Sequence, residues 1–211
     1  MDDEKNRKLT AAEERRMKHY NELSEKLAAE GYRRTELTVG LVKANLFAVL
    51  IAVPLIFAGV WLFYRANPGV QITKFTIGEI LLFFLCYLVL IVVHELIHGL
   101  TWAVFAEDHF KSIEFGFIKE YLTPYCTCRT ILPKVPYILG AAMPLITLGI
   151  IPTVISILNG SFFLLWIGLL MIVSAGGDIL IILRVLFHRS SASETLWLDH
   201  PTQAGSVVFE K

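Results

Sequence analysis

Polar and apolar positions divide this chain into one charged segment followed by four long apolar runs. The first forty residues are polar, with nine Lys/Arg and nine Asp/Glu. Within them Thr10-Ala11-Ala12-Glu13 reads as a capping box that opens a helix, and Gly31 follows as its stop. Leu9, Met17, Tyr20, Leu23 and Leu27 form a narrow apolar stripe, which predicts a solvated or interfacial amphipathic helix. The apolar runs extend roughly from Leu41 to Tyr64, Ile77 to Phe105, Val135 to Leu158 and Phe162 to Phe187. Each reaches the ~20 residues that a bilayer crossing requires. Between the second and third runs, Ser112–Ile118 and Cys126–Ile131 read as short strands. Pro124 lies between these stretches, which predicts a hairpin.

The pattern predicts an all-α membrane protein. It has about four transmembrane helices, an N-terminal amphipathic helix, and a short cytoplasmic β-hairpin between helices two and three. Its expected parts are an N-terminal helical segment over 1–40, a transmembrane domain over 41–187 with its hairpin loop at 106–134, and a tail over 188–211. Pro144 and Pro152 are expected to kink the third helix.

Composition agrees: 55% of the 211 residues are hydrophobic. The formal net charge is zero, so nothing argues for nucleic acid, and the expected surroundings are lipid. Three cysteines, Cys86, Cys126 and Cys128, make no secreted disulfide framework. No signal peptide is evident, because the first apolar run begins far from the start. Lys and Arg set the expected orientation. Nine lie in the N-terminal segment. Arg65 and Lys74 lie in the first loop, and Lys111, Lys119, Arg129 and Lys134 in the second. None lies around Asn159-Gly160. This predicts a multi-pass cell-membrane protein with both termini and the hairpin in the cytoplasm.

The second run carries the chemistry. His94-Glu95-Leu96-Ile97-His98 is an H-E-x-x-H motif inside a membrane-spanning stretch. Histidines four apart share a helix face, so both rings can reach one zinc ion, and Glu95 can take a proton from water. A catalytic zinc usually has a third protein ligand. A metzincin would supply it at position 104, which is Val104. A thermolysin-like enzyme would use a downstream Glu, but Glu114 and Glu120 lie in the strand-like loop. Asp178, in the fourth apolar run, is the favoured candidate. An unpaired carboxylate there costs about 2.5–3.5 kcal/mol, which a metal would offset. Helical rise puts Asp178 and the midpoint of His94 and His98 both ~13 Å from the ends of their runs. The competing reading pairs Asp178 with Arg184 or another polar group. Cys126-x-Cys128 is too closely spaced to make a zinc site alone, and Leu198-Asp199-His200-Pro201 reads as a turn.

Ile91–Gly99 with its H-E-x-x-H, Pro124-Tyr-Cys-Thr-Cys128, Gly140-Ala-Ala-Met-Pro-Leu145 and Gly176-Gly177-Asp178 resemble the bacterial membrane family labelled putative zincin peptidases. More distantly, the layout resembles site-2-protease-type intramembrane metalloproteases. Those carry H-E-x-x-H on one transmembrane helix and a metal-binding Asp on a later one. The resemblance implies His94, His98 and Asp178 as zinc ligands and Glu95 as general base. The Asp context differs from the site-2 pattern, since Gly-Gly precedes Asp178 and Ile179 follows it. The expected function is zinc-dependent hydrolysis of peptide bonds in a membrane-protein or peptide substrate near the cytoplasmic membrane face. The alternative is a catalytically inactive membrane scaffold or a metal-binding transporter-like protein.

Overall fold

The computed structural model describes residues 9–70, 76–118 and 123–211. The chain runs α1 (Ala11–Ala29), β1 (Arg33–Thr38), α2 (Leu41–Ala66), α3 (Ile77–Phe105), β2 (Ile113–Ile118) and β3 (Thr123–Cys128). It continues through β4 (Leu132–Pro133), α4 (Lys134–Pro144), α5 (Ile151–Asn159), α6 (Phe162–Ser174), α7 (Gly176–Phe187), β5 (Thr195–Asp199) and β6 (Gly205–Glu210). Lys74, Lys119 and Glu120 lie outside the described residues.

Three helical stretches are long and apolar enough to cross a membrane, or four if α6 and α7 form one span. Their outward faces carry exposed large side chains such as Phe57, Leu88 and Val104. In water such a surface would be unfavourable, whereas in hydrocarbon it matches its solvent. Between Pro144 and Pro152, a π-helical stretch, Leu145–Ile150, joins α4 to α5. The fourth run is not one straight helix. It breaks at Ala175, and α6 and α7 meet at 51°. Gly176 follows the break, where an added Cβ would sit 2.4 Å from the Ala48 Cβ of α2. Only a hydrogen at this position lets α7 lie that close to α2.

The all-α expectation is corrected by two small sheets. The predicted hairpin is present as the antiparallel pair β2–β3, but its second strand begins earlier than expected. Pro124 lies inside β3, opposite Phe117, rather than in a turn. The second sheet has the order β1-β6-β5-β4 and joins the segment before the spans to the segment after them. Long-range antiparallel pairing of this kind leaves no local signature in a charged segment.

The apolar stripe of α1 finds a partner in that sheet. Tyr20 and Leu27 are buried with Leu198, Val207 and Phe209, with Met17 and Leu23 packed against them. The helix is therefore neither solvated on all sides nor laid on lipid along its stripe. The capping box at Thr10 and Glu13 forms as expected, and Gly31 takes a φ of 94° after the last turn.

Candidate metal centre

α3 begins at a capping box, Thr76 with Glu79, and runs unbroken to Phe105. Its interior leaves His94 and His98 buried while Leu96 and Leu100 face outward. α7 begins at Gly176, so Asp178 stands in its first turn. Unpaired backbone N–H groups there favour a carboxylate. The break before α7 therefore does more than bend a span, because it gives the Asp a helix N-terminus.

The two helices bring three side chains together. The Nε2 of His94 lies 3.0 Å from Asp178 Oδ2 and 3.1 Å from His98 Nε2. The His98 Nε2 lies 3.4 Å from Asp178 Oδ1. One ligand atom from each residue falls within 4.8 Å of the others, a cluster that could hold a metal ion. Zinc bonds of about 2.0–2.1 Å place tetrahedral ligand atoms ~3.3 Å apart, which these separations match.

Tautomers give a second test of fit. The His98 Nδ1 lies 2.8 Å from the Gly140 carbonyl oxygen. A carbonyl can only accept, so Nδ1 donates there, which leaves Nε2 as the nitrogen turned toward His94 and Asp178. Two ring nitrogens and a carboxylate that converge in this way need a proton or a metal cation between them. The His94 Nδ1, by contrast, is buried with no hydrogen-bond partner among the described residues.

Gly140 supports His98 because it has no side chain. A Cβ there would lie 1.9 Å from the Trp102 indole nitrogen, so α4 can approach α3 only at a glycine. Trp102, one turn beyond His98, stacks on its ring at 5.2 Å and 15°. The stack continues through Tyr137 at 6.0 Å and Trp197 at 6.2 Å. These supports are absent from the sequence-derived site. Two signals in the sequence point to them: an aromatic four residues past a ligand, and the small run Gly140-Ala141-Ala142.

Glu95 is half-buried, and the β2–β3 hairpin packs against its helix. The hairpin comes this close because α3 has Gly99, where a Cβ would lie 2.5 Å from Phe115 and 2.9 Å from Ile113. Register shows which donors of β3 turn away from β2. The Arg129 N–H donates to the Ser112 carbonyl at 2.8 Å, so odd-numbered donors near the end of β3 turn toward β2. Cys126 and Cys128 then present their N–H groups on the other edge, and Pro124 offers none there. Burial pushes the thiols of Cys126 and Cys128 up, away from the thiolate that a metal ligand requires.

The competing candidates lie elsewhere. Glu114 pairs with Arg16 at 2.6 Å. Arg184 donates to the Thr38 carbonyl at 3.2 Å rather than to Asp178. His200 sits against the Tyr20 ring, its Nδ1 accepting from the Gln203 N–H at 3.0 Å.

No curated protein and no solved structure matches the chain. Residues 87–193, which hold the H-E-x-x-H helix, the hairpin and Asp178, match the family described as putative zincin peptidase, and the chain belongs to that family.

Proposed function

We propose that this protein is a membrane-embedded, zinc-dependent peptidase that hydrolyses peptide bonds near the cytoplasmic membrane face. The observation that carries the reading is the convergence of His94, His98 and Asp178 from helices 84 residues apart in sequence, beside Glu95. His94, His98 and Asp178 would hold the metal. Zinc, when bound, supplies Lewis acidity, which polarises a scissile carbonyl and makes water a stronger acid. Glu95 takes the proton of the attacking water and delivers it to the leaving amine. The Gly140 carbonyl holds the His98 ring in orientation.

The hairpin suggests how substrate is presented. A peptide must be extended before its backbone can be cut, and within a membrane its exposed polar groups need partners. An extended segment added as a strand to the edge of the hairpin would find backbone partners there. Water reaches the site by the shorter, cytoplasmic route.

Comparative membrane proteomics of a Glu95→Gln strain against wild type tests the reading. The expected result is an uncleaved precursor that accumulates in the variant while purified Glu95→Gln protein still binds zinc. An identical proteome with zinc retained would overturn it.

A further inference from the structure

A helix carbonyl is not ordinarily free to hold a histidine. The C=O of residue i accepts from the N–H of residue i+4 and points along the axis toward it. For Gly140 that residue is Pro144, which has no N–H. The chain stays helical beyond it, through the π-helical stretch Leu145–Ile150, so the donor is missing within a helical run and not at its end. The Leu145 N–H bonds to the Ala142 carbonyl and passes Gly140 by. The Gly140 carbonyl is left for the His98 Nδ1, 2.8 Å away.

A neighbouring contact supplies a comparison. Trp102, one turn after His98, donates its indole N–H to the Tyr137 carbonyl, three residues before Gly140 in α4. Four residues after Tyr137 stands Ala141, which keeps its N–H. Two side chains of α3 thus meet two carbonyls of α4. The carbonyl with a helical donor is met at 3.1 Å, and the one without is met at 2.8 Å. A proline ring also crowds the carbonyl four residues before it, which turns that carbonyl off the helix axis. Pro144 is fully buried, so its ring is held at this point.

We propose that Pro144 is a positioning residue for the metal centre. By withholding an N–H it reserves the Gly140 carbonyl for His98, and so fixes the ring with Nε2 toward His94 and Asp178. Gly140 and Pro144 divide the task, because glycine brings the backbone of α4 close and proline leaves its carbonyl open. The proposal rests on His98 as a metal ligand and does not depend on what the site hydrolyses.

Zinc affinity of the full-length protein in lipid nanodiscs, measured by chelator competition, tests the assignment. Pro144→Ala restores an N–H that competes for the Gly140 carbonyl, and zinc should bind about 10-fold more weakly, the low end for an outer-sphere support. Lactic acid incorporated at position 144 carries the alanine side chain with an ester oxygen in place of the N–H. This form should bind zinc within about twofold of wild type, although it lacks the proline ring just as Pro144→Ala does. The visible bands of the cobalt(II)-loaded protein should shift in Pro144→Ala and keep their wild-type positions in the ester. Should Pro144→Ala not fold, Pro144→Gly with glycolic acid as its ester partner repeats the comparison. Wild-type affinity in the N–H-bearing variant overturns the proposal. Equal weakening of the N–H-bearing and ester forms does so as well, because the ring's packing would then be its whole contribution. None of these measurements reads hydrolysis. A failed search for a precursor removes the peptidase reading alone, whereas a wild-type protein that binds no zinc removes the metal centre and the role of Pro144 with it.

Discussion

The apolar helices and the sheet that joins the two ends of the chain solve opposite problems. Among the helices the outward surface is apolar, and the polar groups of His94, His98 and Asp178 turn inward to one point. In the sheet module the apolar side chains turn inward, with Tyr20, Leu27, Val207 and Phe209 buried, and charged groups lie at its margins. The first region concentrates charge where charge is costly, and the second removes apolar surface from water. The difference implies a division of labour, with chemistry in the helices and placement in the sheet.

Breaking the chemical half should give the largest effect. Glu95→Gln is expected to slow peptide hydrolysis by about 10²–10⁴-fold with zinc affinity little changed. Asp178→Ala should do the converse and lower zinc affinity by more than the ~10–100-fold typical of an outer-sphere support, read by chelator competition. Breaking the other half should leave the metal untouched. Leu27→Ala, fully within the α1–sheet core, should destabilise the sheet module by about 2–5 kcal/mol, read as loss of exchange protection in β1 and β6. Zinc affinity equal to wild type in that variant would sharpen the division, and a parallel loss would abolish it.

Gly140→Ala probes the boundary between ligand and support. Its Cβ must displace Trp102, and with it the carbonyl that fixes His98. Zinc affinity is expected to fall about 10–100-fold, as for other outer-sphere supports. The smallest effect belongs to the Arg16–Glu114 pair, which ties α1 to the hairpin. A double-mutant cycle should give a coupling of about 0.5–1 kcal/mol that weakens with added salt.

The features legible in the sequence are local ones. The H-E-x-x-H histidines share a face by helical periodicity alone, and the four apolar runs follow from length and hydropathy. Asp178 was legible because a carboxylate in an apolar run is costly, and the depth comparison placed it level with the motif. The residues that set that depth, 178–187, lie wholly within α7, so the break at Ala175 leaves the comparison unaffected. Glu114 and Arg184 show the limit of such reasoning, since each had a partner that only the fold supplied.

What the sequence determined by itself is the placement of apolar runs, the helix that opens at Thr10, the presence of a hairpin after α3, and the spacing of the two histidines. These depend on neighbours within a few residues, where backbone geometry leaves little choice. Tertiary structure decided which carbonyl fixes His98 and which strands join the two ends of the chain in one sheet. Those contacts join residues between 42 and 177 positions apart, such as His98 to Gly140 and Arg33 to Glu210. They exist because glycines at 99, 140 and 176 let elements approach closely, and only the packed partners show why a missing side chain matters there.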